Sequence, residues 1–362
     1  MGIINEAGLT TAASDATTTD TRVAARYTIC PVLVASGVAN ELGWLAEELN
    51  RVGGKLDYLR ARPDEHGWLE HYNHKSPNLF RDGGNSPAIW AKADIRDTVL
   101  IGLTQAQPAG KIIARSDAPI YSVAQLRGKR IGLYRSHIAE KIDFRRATSE
   151  RGIHVALALH GLSEADVQII DIDAPDVHVD TPSQGPSETW GRLRDKAARG
   201  VELQALSRGE IDAYYEYGLG LSDTLEQSGE FKVLDDLDRY PDWTLGIANA
   251  PRTLTVSAEF ARDHRDVVVA WLRASIRAGR WINAHPQAAA AVFHRTTLYP
   301  EAATARLLPR YDLVPNLLPQ NLIGLRIAKD FLRERGYVKN DFDVNDWADS
   351  SYLEEALASL QR

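Results

Sequence analysis

The residue with the greatest chemical potential is Cys30, the single cysteine of the chain. It lies in the segment 26–31 (RYTICP), at the end of a predicted first strand and before a proline that begins a turn or loop. α/β folds place ligands at the carboxyl ends of strands. Such a cysteine is either a small buried hydrophobic residue or, where a histidine lies near it in space, a candidate nucleophile.

Three of the ten histidines, His66, His71 and His74, fall within the single segment 66–84. Their spacing matches no metalloprotease helix, and glycine and proline interrupt the segment, so a metal site is disfavoured. One cysteine also permits no multi-cysteine metal site. We therefore expect no bound metal, and we treat these histidines as candidate partners of Cys30.

The same segment ends in Arg81, Asp82, Gly83 and Gly84. A guanidinium offers a planar fork to an oxyanion, and two glycines let backbone N–H groups approach a ligand closely. The segment thus indicates either an anion cradle or a solvated arginine before an ordinary turn.

Aromatic residues could supply the apolar part of a pocket. Tyr214, Tyr215 and Tyr217 form one run, and Trp190 and Trp243 lie elsewhere in the chain. Such residues either line a site for an aromatic ligand or belong to the core.

The elements that must position these residues alternate between strand and helix patterns, which predicts an α/β protein with mainly parallel sheets. Four of the six residues in 167–172 are β-branched aliphatics, which predicts a buried strand. Strands are predicted at 55–60, 98–103, within 126–133, and at 167–172, 210–215 and 253–257. Helices are predicted at about 38–50, 87–93, 139–150, 200–209, 258–264, 267–284, 286–295, 300–308, 318–335 and 352–360.

Composition excludes several classes of protein. Hydrophobic residues make up 44% of the 362 residues and charged residues 25%, as in ordinary globular proteins. The net charge of −7 comes without a basic stripe, so we expect no nucleic-acid partner. Apolar runs such as 288–293 fall far short of the roughly 20 residues that a bilayer crossing needs, so no membrane partner is expected.

The amino-terminal residues 1–22 are rich in Thr, Ala, Ser and Asp and show no apolar period, which predicts a mobile leader. They contain neither a basic region nor an apolar stretch of the kind that secretory signals carry. A cytoplasmic location is therefore expected.

Three helical segments and one strand resemble a known fold family. The blocks 257–261 (SAEFA), 267–271 (VVVAW) and 281–286 (WINAHP), with 209–213 (GEIDA), resemble the periplasmic-binding-protein-like receptors for sulfonates and taurine. The resemblance implies a type II, two-lobed α/β fold with its ligand in the interlobe cleft. It places lobe I at 23–115 and 247–362 and lobe II at 116–246.

A sharper resemblance, over nearly the whole chain, is to the aromatic sulfinate desulfinases of dibenzothiophene desulfurisation, which share this fold. Their Tyr-x-x-Cys-Pro motif is matched by Tyr27, Cys30 and Pro31, and the segment 346–348 (DWA) is also similar. Their histidine and the Arg-x-Gly-Gly motif that follows it by ten residues are matched by His71 and by 81–84.

The resemblance implies cleavage of the C–S bond of an aromatic sulfinate, like 2'-hydroxybiphenyl-2-sulfinate, by a hydrolase without a cofactor. It implies a monomer whose partner is a small sulfur oxyanion. An imidazolium form of His71 would lower the pKa of the Cys30 thiol. Catalysis is expected from Cys30, His71 and Arg81, and substrate contacts from Tyr72, Gly83, Gly84, Thr28 and Ser76.

The chain also departs from that family. Asp82 stands where the family has an aromatic residue, and Ser76 where it has glutamine. No tryptophan occurs in 139–160, where the family has one lining the pocket. Because of these departures, the resemblance predicts the type of reaction more firmly than it predicts a particular substrate.

Three other functions stay open at this point. The chain could be a non-catalytic sulfonate or sulfinate receptor of a transporter, which would tolerate loss of Cys30. It could be a desulfinase for a different sulfinate. A thiamine-pyrimidine-synthase-like enzyme on this fold is disfavoured, because the cysteine-rich iron-binding motif is missing.

Overall fold

The computed structural model describes residues 21–61, 67–175, 182–196, 200–219, 221–248 and 250–361. The predicted leader, apart from its last two residues, and His66 lie outside these ranges. The strands are β1 (Val23–Ile29), β2 (Gly54–Tyr58), β3 (Leu79–Gly83), β4 (Thr98–Thr104), β5 (Lys111–Arg115), β6 (Arg130–Arg135), β7 (Gln168–Asp173), β8 (Ala213–Glu216), β9 (Phe231–Asp236) and β10 (Arg252–Ser257).

The strands form two five-stranded sheets, with the orders β2-β1-β3-β10-β4 and β7-β6-β8-β5-β9. Both sheets are mixed. In the first, β10 runs antiparallel to β3 and β4; in the second, β5 runs antiparallel to β8 and β9. Four of the five strands in each sheet run in the same direction, so the prediction of mainly parallel sheets is confirmed. The antiparallel strands β10 and β5 are set by pairing between distant segments, which local patterns do not reveal.

The helices confirm most of the predicted helical regions and correct some of their limits. They are α1 (Ala35–Glu41), α2 (Trp44–Arg51), α3 (Gly67–Asn73), α4 (Asn85–Trp90), α5 (Phe144–Leu159), α6 (Pro186–Lys196), α7 (Val201–Ser207), α8 (Leu221–Gln227), α9 (Ala258–Asp263), α10 (Arg265–Ala284), α11 (Pro286–Thr296), α12 (Glu301–Leu307), α13 (Pro319–Glu334), α14 (Val344–Trp347) and α15 (Ser351–Ser359).

Two helices differ from the predicted ones for local physical reasons. The helix predicted at 38–50 is divided into α1 and α2, because Gly43 between them adopts a left-handed φ of 76°. Helix α5 begins at Phe144 rather than 139, where the Asp143 side chain accepts from the amide of Arg146.

The strand predicted as buried, β7, lies at the edge of the second sheet. Its residues are exposed or half-buried and none is fully buried, because only one of its sides has a neighbouring strand. Its aliphatic side chains are partly covered on both faces, with Ile169 packed against one core cluster and Ile170 and Ile172 against another.

The first sheet packs on the long helix α10, which also contacts α1, α2 and α15. Trp271 of α10 is fully buried, and its ring stacks on Phe80 of β3 with 4.4 Å between centroids. This contact fixes which face of β3 is turned towards the helices. No helix among the described residues is long and apolar enough to cross a membrane.

The chain passes from the first sheet to the second between β4 and β5 and returns before β10. The lobe boundary predicted at 115 assigns β5 to the first lobe, whereas this strand pairs within the second sheet. The first crossover therefore precedes Lys111. Apart from β5, the two sheets agree with the two-lobed fold that the sequence predicts.

Parallel pairing brings three strand ends to one edge of the first sheet. β1 pairs in parallel with both β2 and β3. Cys30 follows β1, Arg60 follows β2 and Gly84 follows β3. Since ligands bind outside the carboxyl ends of such strands, this edge is where a site is expected.

Candidate active site

The three predicted catalytic side chains meet at this edge. Cys30 Sγ lies 3.3 Å from His71 Nε2, and Arg81 Nη2 donates to the same sulfur at 3.3 Å. His71 belongs to α3 and Arg81 to β3. The fold thus brings together residues that are 41 and 51 positions apart in the chain.

Strand alternation explains why these side chains share a face. Thr28 and Arg81 are register partners on β1 and β3. Phe80, one position away, points to the opposite face and packs on α10. Cys30 follows Thr28 by two positions and therefore lies on the same side of the sheet as Arg81.

His71 is buried, with only 3% of its surface exposed. Burial, reinforced by the positive charges of Arg81 and Arg60, holds the pKa of His71 well below its usual value, so the imidazole is neutral. Its Nδ1 lies 2.7 Å from Thr28 Oγ1. With Nδ1–H donating to Thr28, Nε2 accepts from the Cys30 thiol.

The expectation of an imidazolium beside the resting Cys30 thiol is therefore not supported. A charged imidazole would be desolvated and would lie close to the Arg81 guanidinium. The cation that contacts Sγ is Arg81 itself. In this arrangement His71 Nε2 is placed to accept a hydrogen bond from the thiol, and Arg81 is suited to stabilise negative charge on sulfur.

Arg81 is 1% exposed and is held by protein acceptors. Nε donates to the carbonyl of His71 at 3.2 Å, Nη1 to the carbonyl of Gly84, and Nη2 to Cys30. Three of its five N–H donors are thus engaged, which leaves two for a ligand. Arg81 is consequently less available as an anion fork than the sequence predicts, and it also positions both partners.

Gly83 and Gly84 have different roles in this geometry. A Cβ atom on Gly83 would lie 2.1 Å from Cys30 Sγ, so the missing side chain makes room for the thiol. Gly83 does not line the cavity described below, and its expected substrate contact is corrected accordingly. Gly84 does line the cavity.

Two other predicted substrate contacts are also corrected. Thr28 is fully buried behind His71, to which it is hydrogen-bonded. The Ser76 hydroxyl donates to the carboxylate of Glu70 and accepts from Arg26. Neither residue lines the cavity, because both hydroxyls are turned towards protein partners.

The cavity beside Cys30 has a volume of about 230 Å³ and is mainly apolar. It lies between the two lobes. Its size suits a compact ligand with an apolar body and one polar head. Its walls are formed by Cys30, Pro31, Val32, His71, Tyr72, Arg81, Gly84, Pro87, Phe144, Trp190 and Leu298.

Aromatic rings form much of the apolar wall. Tyr72 stacks on Phe144 of α5 with 6.0 Å between centroids. The indole of Trp190, on α6, donates to the carbonyl of Ile29 at 3.0 Å, which ties it to the residue before Cys30. Phe144 provides an aromatic ring in the region where no tryptophan occurs, and sequence reasoning missed it.

The other aromatic candidates have separate roles. Tyr214 and Tyr215 are buried in the core of the second sheet, 2% and 3% exposed. Trp243 is 41% exposed. Trp190 does line the cavity next to Cys30, as does Tyr72, the aromatic residue predicted to contact substrate. Within the described ranges, no cluster of three or more His, Cys, Asp or Glu side chains could hold a metal ion.

Asp82 occupies the face of β3 opposite Arg81. It is 4% exposed and accepts from Ser36 Oγ at 2.5 Å, while its backbone carbonyl accepts from the amide of Cys30 at 2.9 Å. Burial raises the pKa of Asp82 to about 7, although the Ser36 hydrogen bond and the charges of Arg81 and Arg252 oppose this rise.

Replacing Asp82 with asparagine is expected to stabilise the protein more at high pH than at low pH. The folded-state pKa of about 7 exceeds the unfolded value of 3.8, so the carboxylic acid form favours folding and this stability is lost as pH rises through about 7. Asp82→Asn should raise the free energy of unfolding by about 3 kcal/mol more at pH 8 than at pH 5. Urea unfolding at both pH values measures this difference.

The exposed Asp263 provides a control for that measurement. Asp263→Asn should change the free energy of unfolding equally at both pH values, because its carboxylate stays in water when the chain folds. An equal effect of Asp82→Asn at pH 5 and pH 8 would contradict a raised pKa at this position.

Comparison with known proteins supports the resemblance that the motifs indicated. No protein-family model matches the chain. The 2'-hydroxybiphenyl-2-sulfinate desulfinase of Rhodococcus erythropolis is 27% identical over 358 residues, covering 91% of this chain and 93% of the relative. The protein of that name from Rhodococcus qingshengii matches to the same extent.

Solved structures share the fold. A cysteine-to-serine mutant of the enzyme DSZB in complex with biphenyl-2-sulfinic acid superposes with a TM-score of 0.73 at 22% identity, covering 93% of this chain and 99% of the other. A putative periplasmic sulfonate-binding protein from Methylobacillus flagellatus KT superposes with a TM-score of 0.69 at 17% identity, covering 94% and 95%.

Both parts of the resemblance are thereby confirmed. The chain has the two-lobed α/β fold of the periplasmic sulfonate-binding proteins, and over nearly its whole length its sequence is similar to 2'-hydroxybiphenyl-2-sulfinate desulfinases.

Proposed function

We propose that this protein is a desulfinase that uses Cys30 to cleave the C–S bond of an aromatic sulfinate. The sulfinate and water give the desulfinated arene and hydrogen sulfite. The observation that carries the proposal is the position of the Cys30 thiol. It is hydrogen-bonded to a neutral His71 and to Arg81 at the wall of an apolar, aromatic cavity. The similar desulfinases from Rhodococcus support the same reaction.

The cavity suggests how an aromatic sulfinate would bind. The aryl body would lie among Tyr72, Phe144 and Trp190, where apolar contact is favourable. The sulfinate oxygens would accept from the two N–H groups of Arg81 that have no protein acceptor. This orientation places sulfur next to Cys30, because Arg81 contacts both groups.

The hydrogen bonds favour a thiolate mechanism. His71 takes the thiol proton, and the thiolate attacks the sulfinate sulfur while the bond to the aryl carbon breaks. The departing carbon takes the proton from His71, whose lowered pKa makes its protonated form strongly acidic. Water then attacks the Cys30-bound SO2 group, releasing hydrogen sulfite and restoring the thiol.

In an alternative route, the thiol protonates the aryl carbon directly. Sulfur dioxide leaves, water converts it to hydrogen sulfite, and the released proton returns to Cys30. No bond forms between Cys30 and substrate sulfur in this route. Rapid-quench mass spectrometry distinguishes the two, because only the thiolate route adds one SO2 to the peptide that contains Cys30.

The proposed activity is tested by sulfite release from 2'-hydroxybiphenyl-2-sulfinate. We expect purified protein to release one sulfite for each desulfinated product formed, without added metal or organic cofactor. Tight calorimetric binding of the compound without sulfite release would contradict the proposal and indicate a receptor. Release from other aryl sulfinates alone would retain the reaction and change the substrate.

A further inference from the structure

Arg60 is a buried cation that the proposed mechanism does not use. It follows β2 at the same sheet edge as Cys30, and only 7% of its surface is exposed. Among the residues that the structure describes, its Nε has no hydrogen-bond partner and no carboxylate forms an ion pair with it. Burying a charge without a partner costs free energy, so we expect a negatively charged group to interact with Arg60.

The surroundings of Arg60 point towards the cavity. Its guanidinium lies over the ring of Trp190, 5.3 Å from the centroid, and Trp190 lines the cavity. Its charge also acts on two other residues of the wall, His71 and Tyr72. Its backbone carbonyl accepts from Ser183 at 2.8 Å, which anchors it beside the segment leading to α6.

Arg81 by itself is a limited anion site, since three of its N–H groups serve protein acceptors. An anion entering the cavity would carry negative charge into an apolar enclosure, where a second nearby cation stabilises it more strongly than in water. Arg60 supplies that charge across the Trp190 ring without needing direct contact with the ligand.

We propose that Arg60 is a second cation of this pocket, which selects anionic aryl ligands over neutral ones of similar shape through its position on Trp190. This inference rests on the proposed function for its choice of ligand. It assigns Arg60 a role in binding and specificity, not in the chemical step.

The test compares an anionic and a neutral ligand in the Cys30→Ser background, in which no ligand is consumed. Calorimetry measures the Kd of biphenyl-2-sulfinate and of 2-hydroxybiphenyl with Arg60, Arg60→Met or Arg60→Lys. We expect Arg60→Met to weaken binding of the sulfinate about tenfold and to change binding of the phenol by less than about twofold. Arg60→Lys should retain most of the affinity for the sulfinate, because it keeps the charge.

Arg239→Met is the control for net charge, since the side chain of Arg239 is 81% exposed. It should leave both dissociation constants unchanged. Equal weakening of both ligands by Arg60→Met would overturn the inference and leave Arg60 a structural support for Trp190. Equal losses with lysine and methionine would overturn it too. Failure of the Cys30→Ser protein itself to bind the sulfinate would instead count against the proposed function.

Discussion

Replacing Cys30 with serine is expected to lower the rate of sulfite release at least ~1000-fold while leaving substrate binding within a few-fold of the wild type. The hydroxyl oxygen can occupy the position of Sγ beside His71 and Arg81, so the pocket keeps its shape. Serine is a far weaker nucleophile and acid than cysteine at neutral pH. Steady-state sulfite assays and calorimetry measure the two effects separately.

The single cysteine makes a second measurement unambiguous. Iodoacetamide should modify the wild type at one residue and abolish turnover in proportion to the modification, because no other thiol is present. The Cys30→Ser variant should gain no such adduct under the same conditions. Sulfite release by that variant within tenfold of the wild-type rate would contradict both mechanisms that use the thiol.

Replacing Gly83 with alanine is expected to reduce turnover at least ~100-fold and to destabilise the protein by about 1–3 kcal/mol. The added Cβ would lie 2.1 Å from Cys30 Sγ and 2.5 Å from Cys30 Cβ, so the thiol must move away from His71 and Arg81. Sulfite assays and chemical unfolding measure the two losses.

If the clash causes the loss of stability, a second substitution that removes the clashing atoms should restore stability. Cys30→Gly removes the two atoms that the new methyl group would meet within 3 Å, so the double variant Gly83→Ala, Cys30→Gly should recover the stability lost to the clash and stay inactive. The strain of an alanine at the Gly83 φ of 158° should remain in the double variant. Gly246→Ala is the matched control, because its Cβ would have no neighbour nearer than 3.9 Å. Full activity of Gly83→Ala would show that Cys30 does not need its observed position.

The chemistry-bearing residues could be predicted because their types and order in the chain are local information. Cys30 before a proline and Arg81 before two glycines indicated a thiol and an anion contact, and the resemblance to the desulfinases selected His71 among three histidines. Their meeting within 3.3 Å depends on the parallel pairing of β1 with β3 and on the packing of α3 beside them. The orientation of each side chain then depends on strand alternation.

Several features were beyond prediction because they depend on residues distant in the chain. The neutral state of His71 comes from burial and two arginines, whereas its residue type alone predicts a partly charged imidazole. Phe144 enters the cavity from the second lobe. Arg60 becomes a candidate only after β2 is seen to end beside β1.

Composition, periodicity and motif spacing are properties of short segments, so they were enough to predict the α/β class, most helices, and the types of the thiol, imidazole and guanidinium side chains. Three features became apparent only from the folded chain: both sheets are mixed, the hydroxyls of Thr28 and Ser76 bond to protein partners, and Gly83 leaves room for the Cys30 thiol. These features follow from strand pairing and burial, in which the free energy depends on contacts between segments that lie far apart in the chain.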